Sequence, residues 1–244
     1  MSDQASTIMV NTLEPQSGTT LTVGKSGQNL QVNADSLKAN VAKDAGGNAI
    51  FTSNGSGTLS GVNSGFGSAQ VLLSSQTADG SASLSFTSDI DSTYNHYIFQ
   101  FVDINPATAD MGFEFQCSID GGSNYNIQMT STIFQSGHNE ANTWYSLNYL
   151  TASDQASGTN FQPISFSQGN FADATGVGEL HLYNPSSTVY VKNYWSTYQM
   201  MGHAPSTVYF RGGGFFDTTT AINAIQFKMN SGNFDGTIKM FGIK

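Results

Sequence analysis

The chain has 244 residues, of which 38% are hydrophobic and only 10% charged, with a net charge of −9 and a pI near 4.5. Eight Lys and Arg in all, with Arg211 the only arginine, exclude the clustered cations that nucleic acids and anionic membranes require. No apolar run approaches the roughly 18 residues that span a bilayer.

Gly, Ser, Thr and Asn stand where an ordinary domain carries charge, and all four disfavour helix while suiting short strands and tight turns. The 12% aromatic content, set against low charge, argues against disorder. The opening, Met1-Ser2-Asp3-Gln4, has neither the basic nor the apolar stretch of a secretory signal. The chain is therefore expected to be made, and to be soluble, in a cytoplasm.

Residues 1–64 read as an extended N-terminal arm for attachment and oligomerisation. Phe51 is its only aromatic, and its apolar residues are thinly spaced. Thr20-Leu21-Thr22-Val23-Gly24 is echoed nine positions on by Asn29-Leu30-Gln31-Val32-Asn33. Leu21, Val23, Leu30 and Val32 are the candidate attachment or oligomer contacts, because so little apolar surface cannot offset the ordering of the segment alone. Asp35 is placed to cap one helical turn through Leu37 and Val41, which Gly46-Gly47 would stop. The stretch from Gly18 to Ser26 mimics a phosphate loop, but it has five residues between its glycines where the motif has four, and no helix follows.

Residues 65–244 read as a β-sandwich or jelly-roll-like domain. Strands are predicted at 70–74, 83–87, 97–103, 112–119, 125–135, 144–150, 161–166, 177–183, 188–199, 207–216, 224–229 and 236–243. Phe113, Phe115, Cys117 and Ile119 share one face of the fourth, and Asp120-Gly121-Gly122 turns the chain after it. About a dozen short strands with turn residues between them define an all-β class.

Chemistry finds little foothold. Cys117, the only cysteine, falls at an apolar strand position and reads as a buried hydrophobe. His96, His138, His181 and His203 lie 42, 43 and 22 residues apart, without zinc-ligand spacing. Asp89-Ile90-Asp91 lacks the glycine and glutamate of a calcium loop. Glu114 and Glu179 fall on polar strand faces and not across a cleft. No catalytic residue, metal site or cofactor is assigned, and the chain reads as a non-enzyme.

One aromatic stretch stands out. In the run from Tyr190 to Tyr198, strand periodicity puts Tyr190, Lys192, Tyr194 and Tyr198 on one face and Val189, Val191 and Trp195 on the other. With the Val/Trp face taken as core, the tyrosine face becomes an interaction surface, to which Trp144 and Tyr145 would add. The competing arrangement packs these aromatics between the sheets.

Four segments carry a resemblance. They are Ile8-Met9-Val10-Asn11-Thr12-Leu13 leading into Ser17–Gly24, the stretch 86–99, Asn105-Pro106-Ala107-Thr108-Ala109-Asp110 with 118–125, and Ala221–Phe227 with 236–243. Together these resemble virion appendage and structural proteins of tailed phages of marine bacteria, of the fibre, spike or decoration type. The resemblance implies a virion protein in a homotrimer, contacting other tail or capsid proteins and displaying a surface to a host glycan or protein. It covers both tail and capsid locations, so a capsid decoration (cement) protein is the alternative and a glycan-degrading enzyme the remote one. It implies no catalytic residues.

Overall fold

A computed structural model of the chain describes residues 41–44, 46–53, 56, 59–60 and 69–244. The chain divides into two units, Met1–Phe66 and Gly67–Lys244. Leu21, Val23, Leu30 and Val32, and the mimic of a phosphate loop, lie outside the described residues.

In the first unit β1 (Val41–Lys43), β2 (Ala49–Ser53) and β3 (Leu59–Ser60) form an antiparallel sheet in that order. The expected helical turn therefore does not reach Val41, which pairs with Thr52. Gly47, at φ 83°, turns the β1–β2 hairpin instead of stopping a helix. The Asp44 carboxylate holds the same turn by accepting from the Asn48 amide at 2.8 Å.

The second unit is all-β: among its described residues the only helical element is one 3₁₀ turn, Thr151–Ser153. Its strands are β4 (Gln70–Ser81), β5 (Ser83–Phe86), β6 (His96–Pro106), β7 (Phe113–Ser118), β8 (Met129–Asn139) and β9 (Tyr145–Tyr149). There follow β10 (Gln162–Pro163), β11 (Gly176–Tyr183), β12 (Lys192–Met201), β13 (Ser206–Phe216), β14 (Ala224–Met229) and β15 (Phe234–Ile243). An eight-stranded sheet runs β4-β15-β6-β11-β12-β13-β8-β9, and a four-stranded sheet runs β10-β7-β14-β5. All pairings are antiparallel.

The two sheets meet through rings. Phe101 on β6 lies 5.2 Å edge-on from Phe113 on β7 and 5.2 Å from Phe227 on β14. Phe115 approaches Tyr194 at 5.0 Å, and Phe86 approaches Phe99 at 5.5 Å. Edge-to-face rings at these separations bury large apolar area and add a favourable quadrupole contact. Cys117 is buried among them, and burial pushes its thiol pKa well up. Ile119 falls past the end of β7 and is exposed, because the turn begins there.

That turn follows its sequence. Gly121 and Gly122 take φ of 72° and 89°. Hydrogen bonds from the Ser118 hydroxyl, the Asn124 side chain and the Asn124 amide draw the Asp120 pKa down to about 2. The outer face of β7 is covered by the loops on either side of β8 and β9, so Gln116 is fully buried there. Its amide donates to the carbonyls of Ile127, Thr159 and Asn160, and accepts from the Cys117 amide at 2.9 Å. A buried amide so satisfied is tolerated where an unpaired one would cost several kcal/mol, roughly 2–7.

Candidate interaction surface

The tyrosine-rich strand takes the competing arrangement, with Tyr194 and Tyr198 packed between the sheets and not on an interaction surface. On β12 the inward residues are Lys192, Tyr194, Ser196, Tyr198 and Met200, all buried. Trp195 points to the outer face and is half-buried, while Val189 and Val191 are exposed. Tyr194 and Tyr198 are thus core residues and Lys192 is no surface cation; the expected exposed face does not exist on this strand.

Two features set this phase. Tyr194 pairs with Gly214 and Ser196 with Gly212 on β13, so the inner face has room for a tyrosine ring. Gly176 on β11 leaves space for Tyr198, whose hydroxyl a Cβ at that position would overlap. The polar ends are then satisfied: Tyr198 donates to Gln168 Oε1 at 2.9 Å, and Lys192 Nζ donates to the Thr218 carbonyl at 3.1 Å. Burial raises the Tyr194 and Tyr198 pKa values and lowers that of Lys192.

Tyr190 is 70% exposed, in the loop before β12. Trp144 and Tyr145 are also exposed, but as neighbours at the start of a strand they fall on opposite faces. Tyr145 pairs with His138, whereas Trp144 lies over Gly137, where a Cβ would strike its ring. The six candidates therefore form no common surface.

A different one is present at the β9 edge of the large sheet. The pairs Phe134–Tyr149, Ser136–Leu147 and His138–Tyr145, with Tyr209 opposite Ser136, put these side chains on one outer face. Leu147 is 80% exposed, Tyr145 79%, Tyr149 51%, Phe134 47% and Tyr209 39%. Phe134 and Tyr149 meet in a tilted ring contact at 5.3 Å, and the Tyr149 hydroxyl donates to Asp154. Between Phe134, Leu147, Tyr209 and Arg211 is a hollow of about 200 Å³, sized for an apolar side chain. Tyr, Phe and Arg are the residues enriched at protein contacts. The β9 sequence, Tyr-Ser-Leu-Asn-Tyr, carries none of the charge or proline that usually protects an edge.

The same outer face, further along, carries a ring stack invisible in the sequence spacing. His181 lies 3.8 Å from Trp195, His96 lies 4.3 Å from Tyr183, and Trp195 Nε1 donates to the Tyr183 hydroxyl at 3.0 Å. His96 Nε2 and His181 Nδ1 share a hydrogen bond of 2.7 Å. Glu179 Oε1 stands 3.2 Å from His181 Nε2 at an angle that forms no hydrogen bond. His138 and His203 are elsewhere, and among the described residues no three acidic, histidine or cysteine side chains are grouped to hold a metal. Asp89 and Asp91 serve a turn: Asp91 accepts from the Thr93 amide at 2.8 Å, and Asp89 accepts from Ser88 at 2.8 Å. Glu114 pairs with Lys228 at 2.9 Å on the outer side of the small sheet.

No family model, curated protein or solved structure matches the chain.

Proposed function

We propose that the chain is a structural component of a phage virion, a homo-oligomeric fibre- or spike-type appendage attached by its N-terminal segment and displaying its sandwich. The observation that carries this reading is the apolar outer face at the β9 edge, from Phe134 and Tyr209 to Tyr145, Leu147 and Tyr149. An edge strand that offers unpaired backbone groups and exposed apolar side chains together is a template for another strand, which supports a surface that is covered on assembly. A neighbouring copy of the chain is the occupant this surface suits, meeting it with a different part of its own surface, since two identical β9 edges paired together would close as a two-fold dimer and a trimer needs a head-to-tail contact. The four segments that resemble phage appendage proteins support the virion location and a trimer. Contacts with other virion proteins, rather than turnover of a substrate, are then the work of the molecule.

The reading is tested by the mass of the purified full chain over a wide concentration range, with a trimer expected. A strict monomer throughout would overturn it, and would favour a decoration protein that binds only to an assembled shell. Imaging of the virion places the copies on tail or capsid.

A further inference from the structure

On the face of the β8–β9 ribbon opposite to Tyr145 and Leu147 there is a hollow of about 440 Å³. Trp144, Phe166, Asp110, Gln135, Ser167 and His203 line it. From this geometry we infer that the hollow is a binding site for a neutral saccharide, with Trp144 as its platform.

The platform is built, not incidental. Asn139 accepts from the amides of Thr143 and Trp144, both at 2.9 Å, and donates to the Thr143 hydroxyl at 2.9 Å. This fixes the hairpin turn that delivers Trp144, and Gly137 lets the indole lie down on the backbone of β8. Trp144 remains 38% exposed. The opposite wall is equally fixed: Met111, Gln168 and Gly202 form consecutive bridges, Asp110 N donates to the Gln168 carbonyl at 2.9 Å, and His203 N donates to the Ser167 carbonyl at 2.8 Å. Asp110 and Ser167 are held at φ of 65° and 54° on that wall.

The chemistry of the lining selects the ligand. The side chains of Asp110, Gln135, Ser167 and His203 make no hydrogen bond to any described residue, nor does the indole N–H of Trp144. A purely apolar ligand would desolvate these groups without pairing them, which is unfavourable. An anionic ligand would face the Asp110 carboxylate. A pyranose satisfies both parts, since its C–H face covers an aromatic ring while its hydroxyls donate to Asp110 and Gln135 and accept from Gln135 and Ser167. A pocket of a few hundred Å³ with an apolar floor and a few convergent polar groups is the usual form of a small-ligand site. The site does not depend on the oligomer proposed above, because it uses the other face of the ribbon.

Trp144 and Trp195 are the only tryptophans, so the Trp195→Phe variant of the full chain makes Trp144 the sole reporter. Its emission is followed during titration with glucose, galactose, mannose and N-acetylglucosamine, with glycerol as the polyol control. At least one sugar is expected to give a saturable change, with a Kd of the order of 1 mM, while glycerol gives none. Calorimetry on Trp144→Ala and, separately, Gln135→Ala should then show binding of that sugar weakened about tenfold or more, while each variant still melts in a single cooperative transition. No saturable response to any of the four sugars, or full affinity retained in both variants, would overturn the assignment.

Discussion

Tyr194 packs its ring against Phe115 and Phe216 on the inner face of β12, and its hydroxyl is buried near the Ser131 side chain without making a hydrogen bond of good geometry. Truncation and deletion of the hydroxyl should therefore have opposite consequences. Tyr194→Ala is expected to cost about 3–5 kcal/mol in denaturant unfolding, as a large buried ring lost from a packed core. Tyr194→Phe is expected to be neutral or slightly stabilising, because it removes a desolvated donor whose approach to Ser131 is not a well-formed hydrogen bond. A loss of more than about 1 kcal/mol in the phenylalanine variant would show that the hydroxyl is satisfied after all. His96 offers a titratable counterpart. Burial, reinforced by the adjacent His181, holds its pKa below the ordinary 6.5, against a smaller upward pull from Glu179. The unfolded chain then takes up this proton before the folded one does. Its contribution to stability is complete above about pH 6.5 and is lost as the pH falls through the lower folded-state value. Thermal melts from about pH 7 to about pH 5 should show a declining Tm, with the decline reduced in His96→Gln. Equal slopes for the two proteins would place the pH sensitivity elsewhere.

Strand β9 is short, uncharged and on the rim of its sheet, and its neighbours on β8 and β13 extend its apolar face inward. An edge of this kind is blunted by one lysine, which cannot be buried against a second strand without losing its hydration. Leu147→Lys is expected to shift the oligomer toward monomer and to change the unfolding free energy of the monomer by less than about 1 kcal/mol, since Leu147 is 80% exposed. Sedimentation at matched concentrations reads the effect. An unchanged oligomer would move the subunit contact away from this edge. At this scale the strands themselves were legible: the predicted 224–229 coincides with β14, 207–216 falls short of β13 by one residue, and 70–74 catches only the first part of β4. The long β4 escaped because Gln76, Thr77 and Asp79 break its apolar alternation, a pattern suited to a rim strand that has a partner on one side only.

The whole molecule parts between residues 66 and 67, and the second unit carries both sheets of the sandwich with its aromatic interior. Such a core should sustain cooperative folding without residues 1–66. Expressed alone, the fragment 67–244 is expected to melt in a single transition and to fail to join virions that lack the full protein. A fragment that does not fold would show that the first unit contributes to the sandwich. Normal incorporation would put the attachment surface within it. The small sheet β1–β3 is the part of the first unit that its composition concealed, because two- and three-residue pairings leave no periodicity to read.

Alternation of apolar residues with period two is a property of a few consecutive positions, so the all-β class, most strand positions, the burial of Cys117 and the turn at Gly121 and Gly122 were set locally and could be read along the chain. It did not determine the phase of β12. Both faces of that strand carry aromatics, and only the glycines of β11 and β13 beside it decide which face has room for Tyr194 and Tyr198. Nor did it bring His96 to His181, which are 85 residues apart in the chain and meet only because β6 and β11 are neighbours. The bare edge of β9 and the hollow beside Trp144 depend on the same long-range order, since each is assembled from strands and loops that only the packing of the two sheets places together. Local chemistry chooses the element, but burial of the largest rings chooses its neighbours, and the surfaces available for recognition are what that choice leaves outside.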